Sequence, residues 1–547
     1  MKKYIYILSL SSLLGLSGCS LDAFPGGDII TEDQKEDLLA KNPEKIEADI
    51  NGLAANMIKL NTLELSKTRH FDFGYPAICM MFDSSSADMT AFTSGYNHFS
   101  SPQLFRDRSV TSYNSEVIWR MSYSIIKGAN DVLTSIETLY EATDSNDKGA
   151  IKTLNYYKAQ SLSYRAFSYM LLAQTFQFTY VGHEDAPSVP LILVPGDERN
   201  TDKRASVSDV YAVILDDLNI SIELLKENSL PRGLDKSKVS LEVAYGLRAR
   251  ANLIMNKWED AAKDAKAAQI GFIPYSLKEV SQPTFNSAAS KSWMWANMIT
   301  KDTNAGGSNI INWPSHLCSM AGGAYTTMVG AYRSINLPLW KSIPESDIRK
   351  QWWLDEDTHS VLVDDMLIDS EPIAEAYGWE PLVNVKFHAF ENIPGNSVKA
   401  SDWPIMRVEE MIFIEAEALA MSGDIQGAKS LLTDFIKANR NPEYTCKPTT
   451  AVEMQDEIWY QRRLELWGEG FSLFDTLRLK KPIERIVKNE EGKFETSFPS
   501  SAQYNVKAED QILIYMLPEK EIEGNPLLES SDNNPSGIVP QPAKLEK

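Results

Sequence analysis

LRARANLIMNKWEDAAKDAKAA (247–268) and IEAEALAMSGDIQGAKSLLTDF (414–435) share one template: a helix, a short polar turn and a second helix. Ala249, Ala251 and Ala261 of the first answer to Ala416, Ala418 and Ala428 of the second at identical spacings. Small residues at fixed positions let two antiparallel helices approach closely, which is the packing logic of tetratricopeptide units. A tandem array repeats without a break, whereas these copies are separated by well over a hundred residues. Helix pairs are therefore interrupted by something of a different kind.

Outward from the two copies, helical periodicity runs through 114–140 and 151–178 and again after Ser206. There Asp209, three residues on, suggests a capping box ahead of VYAVILDDLNISIELL. Nearer the N-terminus, Pro43 is expected to open a helix with Ile46, Ile50, Leu53, Met57 and Leu60 on one face. The interruptions are 71–107, about 270–400 and a shorter piece at 488–506. They are rich in aromatics, Gly and Pro and show no helical period, so they read as long loops and short strands. Trp293 and Trp295 alternate as on one buried strand, and Trp352 and Trp353 read as core.

The first residues carry a different message. Lys2 and Lys3, an apolar run from Tyr4 to Leu16, and the small residues Ser17 and Gly18 describe a secretory signal, too short to span a bilayer. Leu16-Ser17-Gly18-Cys19 resembles the bacterial lipobox, whose thiol is acylated and becomes the first residue of the mature chain. Diacylglycerol and an amide-linked acyl chain together give stable anchoring.

The chain has 547 residues, 43% of them hydrophobic, and a formal net charge of −21. Such acidity argues against nucleic acid or anionic lipid head groups as partners and favours a neutral or cationic one. Cys79, Cys318 and Cys446 are far apart and form no CxxC pair, and no two histidines make an HxxxH pair, so no metal or other cofactor is expected. GxSxG, GxxxxGK[ST] and GxGxxG are absent as well. Glu465 and Glu469, four apart, could share a helix face as a glycosidase pair would require, but neighbouring arginines and apolar residues favour a structural role.

Four blocks then add up: YYKAQSLSYRAFSYMLLAQTF (156–176), WPIMRVEEMIFIEAEALAMSGD (403–424), IWYQRRLELWGEGFSLFDTLRL (458–479) and ILIYMLPEKEIEGNP (512–526). With the lipobox, they resemble the RagB/SusD family of nutrient-binding outer-membrane lipoproteins along essentially the whole chain. The resemblance implies a mostly α fold, with four tetratricopeptide-like helix pairs as scaffold and a loop-rich part containing a few short strands. It divides the chain into a signal peptide (1–18), a lipidated tether (19–42), an N-terminal helical scaffold (43–270) with an inserted ligand loop (71–107), a loop-rich ligand-binding part (271–402) and a C-terminal helical scaffold (403–547). It further implies capture of an oligosaccharide, or a glycopeptide, and delivery to a SusC-like TonB-dependent barrel transporter. The protein would hang from Cys19 on the outer membrane, facing the exterior. Only one acid, Asp22, follows the cysteine closely, where many surface-exported relatives carry several.

A sugar ring offers an apolar C–H face and a rim of hydroxyls, which flat aromatic rings and polar side chains satisfy together. Two loop stretches have that mixture: MMFDSSSADMTAFTSGYNHF (80–99) and NWPSHLCSMAGGAYTTMVGAYRS (312–334). Both correspond by position to ligand loops of the family. Tyr96, Trp313 and Tyr325 are the expected stacking residues, with Asp83, Asn97 and His98 as polar partners. Two other readings stay open: a surface-anchored polysaccharide hydrolase, and a structural or adhesive lipoprotein without a small ligand.

Overall fold

A computed structural model describes residues 46–91, 95–301 and 310–543. Cys19, the signal peptide and the tether lie outside the described residues.

Three of the longer helices start at a side-chain cap. Helix α1 spans Glu47–Asn56, with Ile46, Ile50, Leu53 and Met57 buried. Helix α2 spans Tyr75–Ser85. The long pair α3 (Tyr113–Ala142) and α4 (Lys148–Phe176) is capped by Ser112, accepting from Asn114 N, and Asp147, accepting from Ala150 N. Helix α5 (Val207–Asn228) begins at Ser206, whose hydroxyl accepts from Asp209 N at 3.1 Å. Each such cap satisfies a donor that the helix cannot.

The two alanine-patterned copies form helix hairpins. The first is α6 (Leu241–Ile254) with α7 (Trp258–Ala268). The second, after the short helices α8 (Trp313–Leu317) and α9 (Tyr325–Val329), is α10 (Val408–Met421) with α11 (Ile425–Asn439). All six matched alanines are fully buried. Helices α3 to α7 pack in succession, α10 packs on α7 and α6, and α11 and α12 (Ala451–Glu465) pack on α10. The copies distant in sequence are thus neighbours in space. Arg250 of α6 donates to both carboxylate oxygens of Glu410 of α10 at 2.6 Å, and Gln269 donates to Glu415 at 2.6 Å.

One reading needs correction. The stretch 71–107 contains α2, and all eleven of its residues are buried. A helix enclosed on every side has no polar face, so the 3.6-residue alternation that reveals other helices is missing. The region about 270–400 does consist of short helices, short strands and loops. Strand β1 (Met89–Ala91) pairs antiparallel with β3 (Arg333–Ile335), and β2 (Trp293–Asn297) with β4 (Trp403–Arg407). The first pairing brings the two stretches nominated for ligand binding together.

One hydrophobic cluster runs from Ile46 to Leu528 through scaffold and loop-rich part alike. Trp293, Trp295, Trp352 and Trp353 lie fully inside it. The cysteines Cys79, Cys318 and Cys446 are buried and unbridged. Among the described residues, no helix is long and apolar enough to cross a membrane.

Candidate functional site

The β1–β3 pairing puts Ala91 opposite Arg333, so residues 89–91 and 333–335 hold the two nominated stretches side by side. The 312–334 stretch is held there by its own hydroxyls. Ser315 Oγ accepts from Tyr325 N at 3.0 Å, Thr326 Oγ1 donates to Cys318 O at 2.8 Å and Thr327 Oγ1 donates to Ala321 O at 2.7 Å. Behind it, Gly322 meets the 395–399 loop so closely that a Cβ there would lie 2.2 Å from Gly395 O. Only glycine permits that approach. Lys399 Nζ donates to Gly322 O at 2.6 Å and closes the junction.

On this frame the rings form a ladder. Tyr96 stacks on Tyr325 (5.9 Å, 28° between planes), Tyr325 on His316 (4.9 Å, 25°) and His316 on Phe73 (5.7 Å, 6°). The outermost rung, Tyr96, is 52% exposed, whereas His316 and Phe73 are buried. His70 and His98 stack beside the ladder at 4.6 Å. The Tyr325 hydroxyl is hydrogen-bonded to His70 Nδ1, and His316 Nε2 lies 3.1 Å from His70 O. Burial, followed by the charges of His70 and Arg333, pulls the His98 pKa down to about 4. Burial also holds His316 far below the ordinary histidine value. Both are neutral near pH 7. The result is an exposed tyrosine face on a rigid, uncharged aromatic support.

Four of the six nominated ligand residues, Tyr96, Asn97, His98 and Tyr325, meet here. Asn97 is buried, and its Oδ1 accepts from Arg333 at 2.8 Å and from Phe99 N at 3.2 Å, so it shapes the turn and does not face solvent. The other two do not belong to the cluster. Trp313 is 1% exposed, donates its indole N–H to Ser401 O at 2.9 Å and packs edge-on against Trp403 and Phe387. It has no face to offer a sugar. Asp83 lies at the end of α2 and is likewise buried; its carboxylate accepts from Gly470 N at 2.9 Å and Ser472 N at 3.2 Å. Sequence reading missed His70, His316 and Arg333. His316 and Arg333 lie in the nominated 312–334 stretch without the exposed-ring signature, and His70 comes from a distant segment that spacing rules written for helix-borne metal sites cannot register.

The carboxylates that could suggest hydrolysis are also in the core. Helix α12 ends at Glu465, so Glu469 stands in the following turn and not on the same helix face. Glu465 is gripped by Arg440 (2.7 Å) and Arg407 (3.2 Å), and Glu469 by Arg407 (2.8 Å) and Lys386 (2.7 Å). Burial opposes ionisation of Glu465, but Arg440, Arg407 and Arg349 outweigh it and hold the carboxyl well below its usual range. Arg462 of the same helix reaches out of it to Asp475 at 2.7 Å.

Comparison with known proteins agrees with this architecture. The family model described as "SusD-like_3: Starch-binding associating with outer membrane" matches residues 49–253, and that described as "SusD_RagB: SusD family" matches residues 368–535. No curated protein matches the chain. Among solved structures, a SusD-like carbohydrate binding protein from Bacteroides vulgatus is 21% identical, with a TM-score of 0.70 over 91% of this chain and 98% of that one. A SusD superfamily protein from Bacteroides thetaiotaomicron is 20% identical, with a TM-score of 0.69 over 90% and 99%. Another from Bacteroides vulgatus is 18% identical, with a TM-score of 0.68 over 90% and 99%. At these identities the structures speak for the fold. Taken with the two sequence matches, they make this chain a member of the SusD/RagB family.

Proposed function

We propose that the protein captures oligosaccharides on the Tyr96 face and passes them to a SusC-like TonB-dependent transporter, while tethered through acylated Cys19 to the outer surface of the outer membrane. The observation that carries the binding part is the exposed Tyr96 ring stacked on buried Tyr325 and His316. A flat ring fixed in advance loses little entropy when a sugar's C–H face settles on it. The sugar-binding description of a structural relative and the starch-binding description of the family model point the same way. We read the activity as binding without turnover, since Glu465 and Glu469 already serve arginine and lysine partners. A glycopeptide would use the same ring.

The test is affinity electrophoresis of the mature lipoprotein in mild detergent through gels containing plant or host polysaccharides, with the same mixtures assayed for new reducing ends. Retardation without release, weakened by Tyr96→Ala, is the expected result. Release of sugar would overturn the non-catalytic reading. Failure to bind any glycan would overturn the carbohydrate reading. Co-purification with a barrel protein tests the transporter partnership.

A further inference from the structure

Arg333 is a buried arginine without a counter-ion. It is 1% exposed, and no carboxylate among the described residues stands within ion-pair distance. One guanidinium nitrogen donates to Asn97 Oδ1 at 2.8 Å, while Nε and Nη2 find no hydrogen-bond partner. The other buried arginines are treated differently. Arg165 has Asp217 at 2.7 Å, Arg440 has Glu465 at 2.7 Å, and Arg478 has Glu417 at 2.6 Å. Arg485 also lacks a carboxylate, but it donates to the carbonyls of Ser86 (3.0 Å), Gln103 (2.6 Å) and Ser85 (3.1 Å). A buried charge with most of its donors unused is costly unless something else pairs with it.

Two further polar atoms of the same cluster are buried and unpartnered: His98 Nε2 and His316 Nδ1. Both imidazoles feel the Arg333 charge, and both touch Tyr325. Two unused guanidinium donors, a cation without a counter-ion and an exposed tyrosine therefore coincide. We propose that the glycan bound on Tyr96 carries an acidic group, a carboxylate or a sulfate, and that Arg333 with His98 beside it reads its charge. This rests on the carbohydrate reading and narrows it.

The exchange is favourable because Arg333 is tied to the 95–99 turn by one neutral hydrogen bond, that to Asn97, and by its guanidinium lying over the Phe99 ring at 5.3 Å, neither of which neutralises its charge. Replacing a neutral acceptor by an anion gives a charge-assisted, two-pronged contact, roughly twice as strong per bond. A sugar hydroxyl could take up a donor but would leave the charge uncompensated. The net charge of −21 does not forbid an acidic ligand. Exposed charges are screened beyond about 8 Å at physiological ionic strength, whereas a cation in a low-dielectric setting is not.

Matched polymers test the idea. The mature lipoprotein is run through gels containing polygalacturonate or its carboxyl-reduced neutral form, and a sulfated glycan or its desulfated form. We expect at least tenfold stronger retardation by one acidic member than by its neutral partner; whether carboxylate or sulfate wins identifies the group. Arg333→Gln should erase the preference and Arg333→Lys retain part of it. A second readout needs no variant: the His98 imidazole resonance, followed against pH, should titrate higher with the preferred acidic oligosaccharide than with its neutral form. Equal retardation by acidic and neutral members, or an unmoved His98 titration, would overturn the inference and leave the carbohydrate reading standing. Absence of binding to every polymer would overturn both.

Discussion

Arg407 grips Glu469 with both prongs of its guanidinium: Nε donates to Oε2 at 2.8 Å and Nη2 to Oε1 at 2.9 Å. Lys386 adds a third donor to Glu469 at 2.7 Å, and all three residues are buried. Taking one partner from such a group strands charge in a low dielectric and costs about 3–5 kcal/mol. Glu469→Ala should therefore lower the urea midpoint of the mature protein markedly. Retardation by glycan, measured well below that midpoint, should stay as in the wild type. An unchanged midpoint would show that the pair contributes nothing net to stability, and lost binding in a folded variant would show that Glu469 serves the ligand.

The turn that presents Glu469 depends on glycine at both ends. Gly470 has φ +92, and a Cβ there would lie 2.6 Å from Cys79 Cβ and 2.8 Å from Cys79 Cα. Gly470→Ala combines a strained backbone with a clash against a buried helix, at a cost of about 3 kcal/mol. Gly52, on the exposed side of α1, has nothing within 4 Å. Gly52→Ala should raise stability by about 0.5–1 kcal/mol. The two variants, melted side by side, should move in opposite directions. Movement in the same direction would mean that glycine's conformational freedom, and not the Cys79 contact, sets the effect at residue 470.

Asp83 gives stability a pH dependence of unusual sign. Burial outweighs the N–H donations of Gly470 and Ser472 and lifts its carboxyl to about 7. The unfolded value is about 3.9. Between those values the folded chain keeps a proton that the unfolded chain has lost, so this group's contribution declines as pH rises from about 4 to 7 and is level above. The slope is at most about 1.4 kcal/mol per pH unit. Asp83→Asn stays neutral throughout and removes it. The stability difference between variant and wild type should drift in the variant's favour from pH 4.5 to 7.5 in a series of melts. A difference constant with pH would place the Asp83 titration outside this range.

Local signals proved readable where they act locally. The cap at Ser206 and the alanine pattern of both hairpins concern residues a few positions apart, and the structure contains both, although the expected capping box is reduced to the Ser206 bond from Asp209 N, with the Asp209 carboxylate on the Ser206 hydroxyl. Helix α2 was illegible because burial on all sides erases periodicity. The β1–β3 pairing joins segments more than two hundred residues apart, and no spacing rule anticipates His70 against Tyr325 or Arg333 against Asn97. In both loop-rich stretches composition equally suits a core indole and a surface ring, which is why Trp313 and Tyr96 looked alike.

Those two residues should separate cleanly under mutation. Trp313 is buried against Trp403 at 5.3 Å and Phe387 at 5.8 Å, with its indole N–H bound to Ser401 O. Trp313→Ala removes a large core side chain and should cost about 3–5 kcal/mol. Tyr96 is half exposed and touches the body through its stack on Tyr325, so Tyr96→Ala should change stability by under about 1 kcal/mol. Its effect should fall on binding, where truncating an anchoring tyrosine costs roughly 1–2 kcal/mol, about tenfold or more in affinity. Thermal melts and affinity gels on both variants give two numbers each. The expected pattern is a large melt shift for Trp313→Ala and a large retardation loss for Tyr96→Ala at an unchanged melt. Normal retardation by Tyr96→Ala would move the ligand site away from the Tyr96–Tyr325–His316 ladder. A stable Trp313→Ala variant with lost binding would mean that the buried indole becomes accessible when ligand arrives.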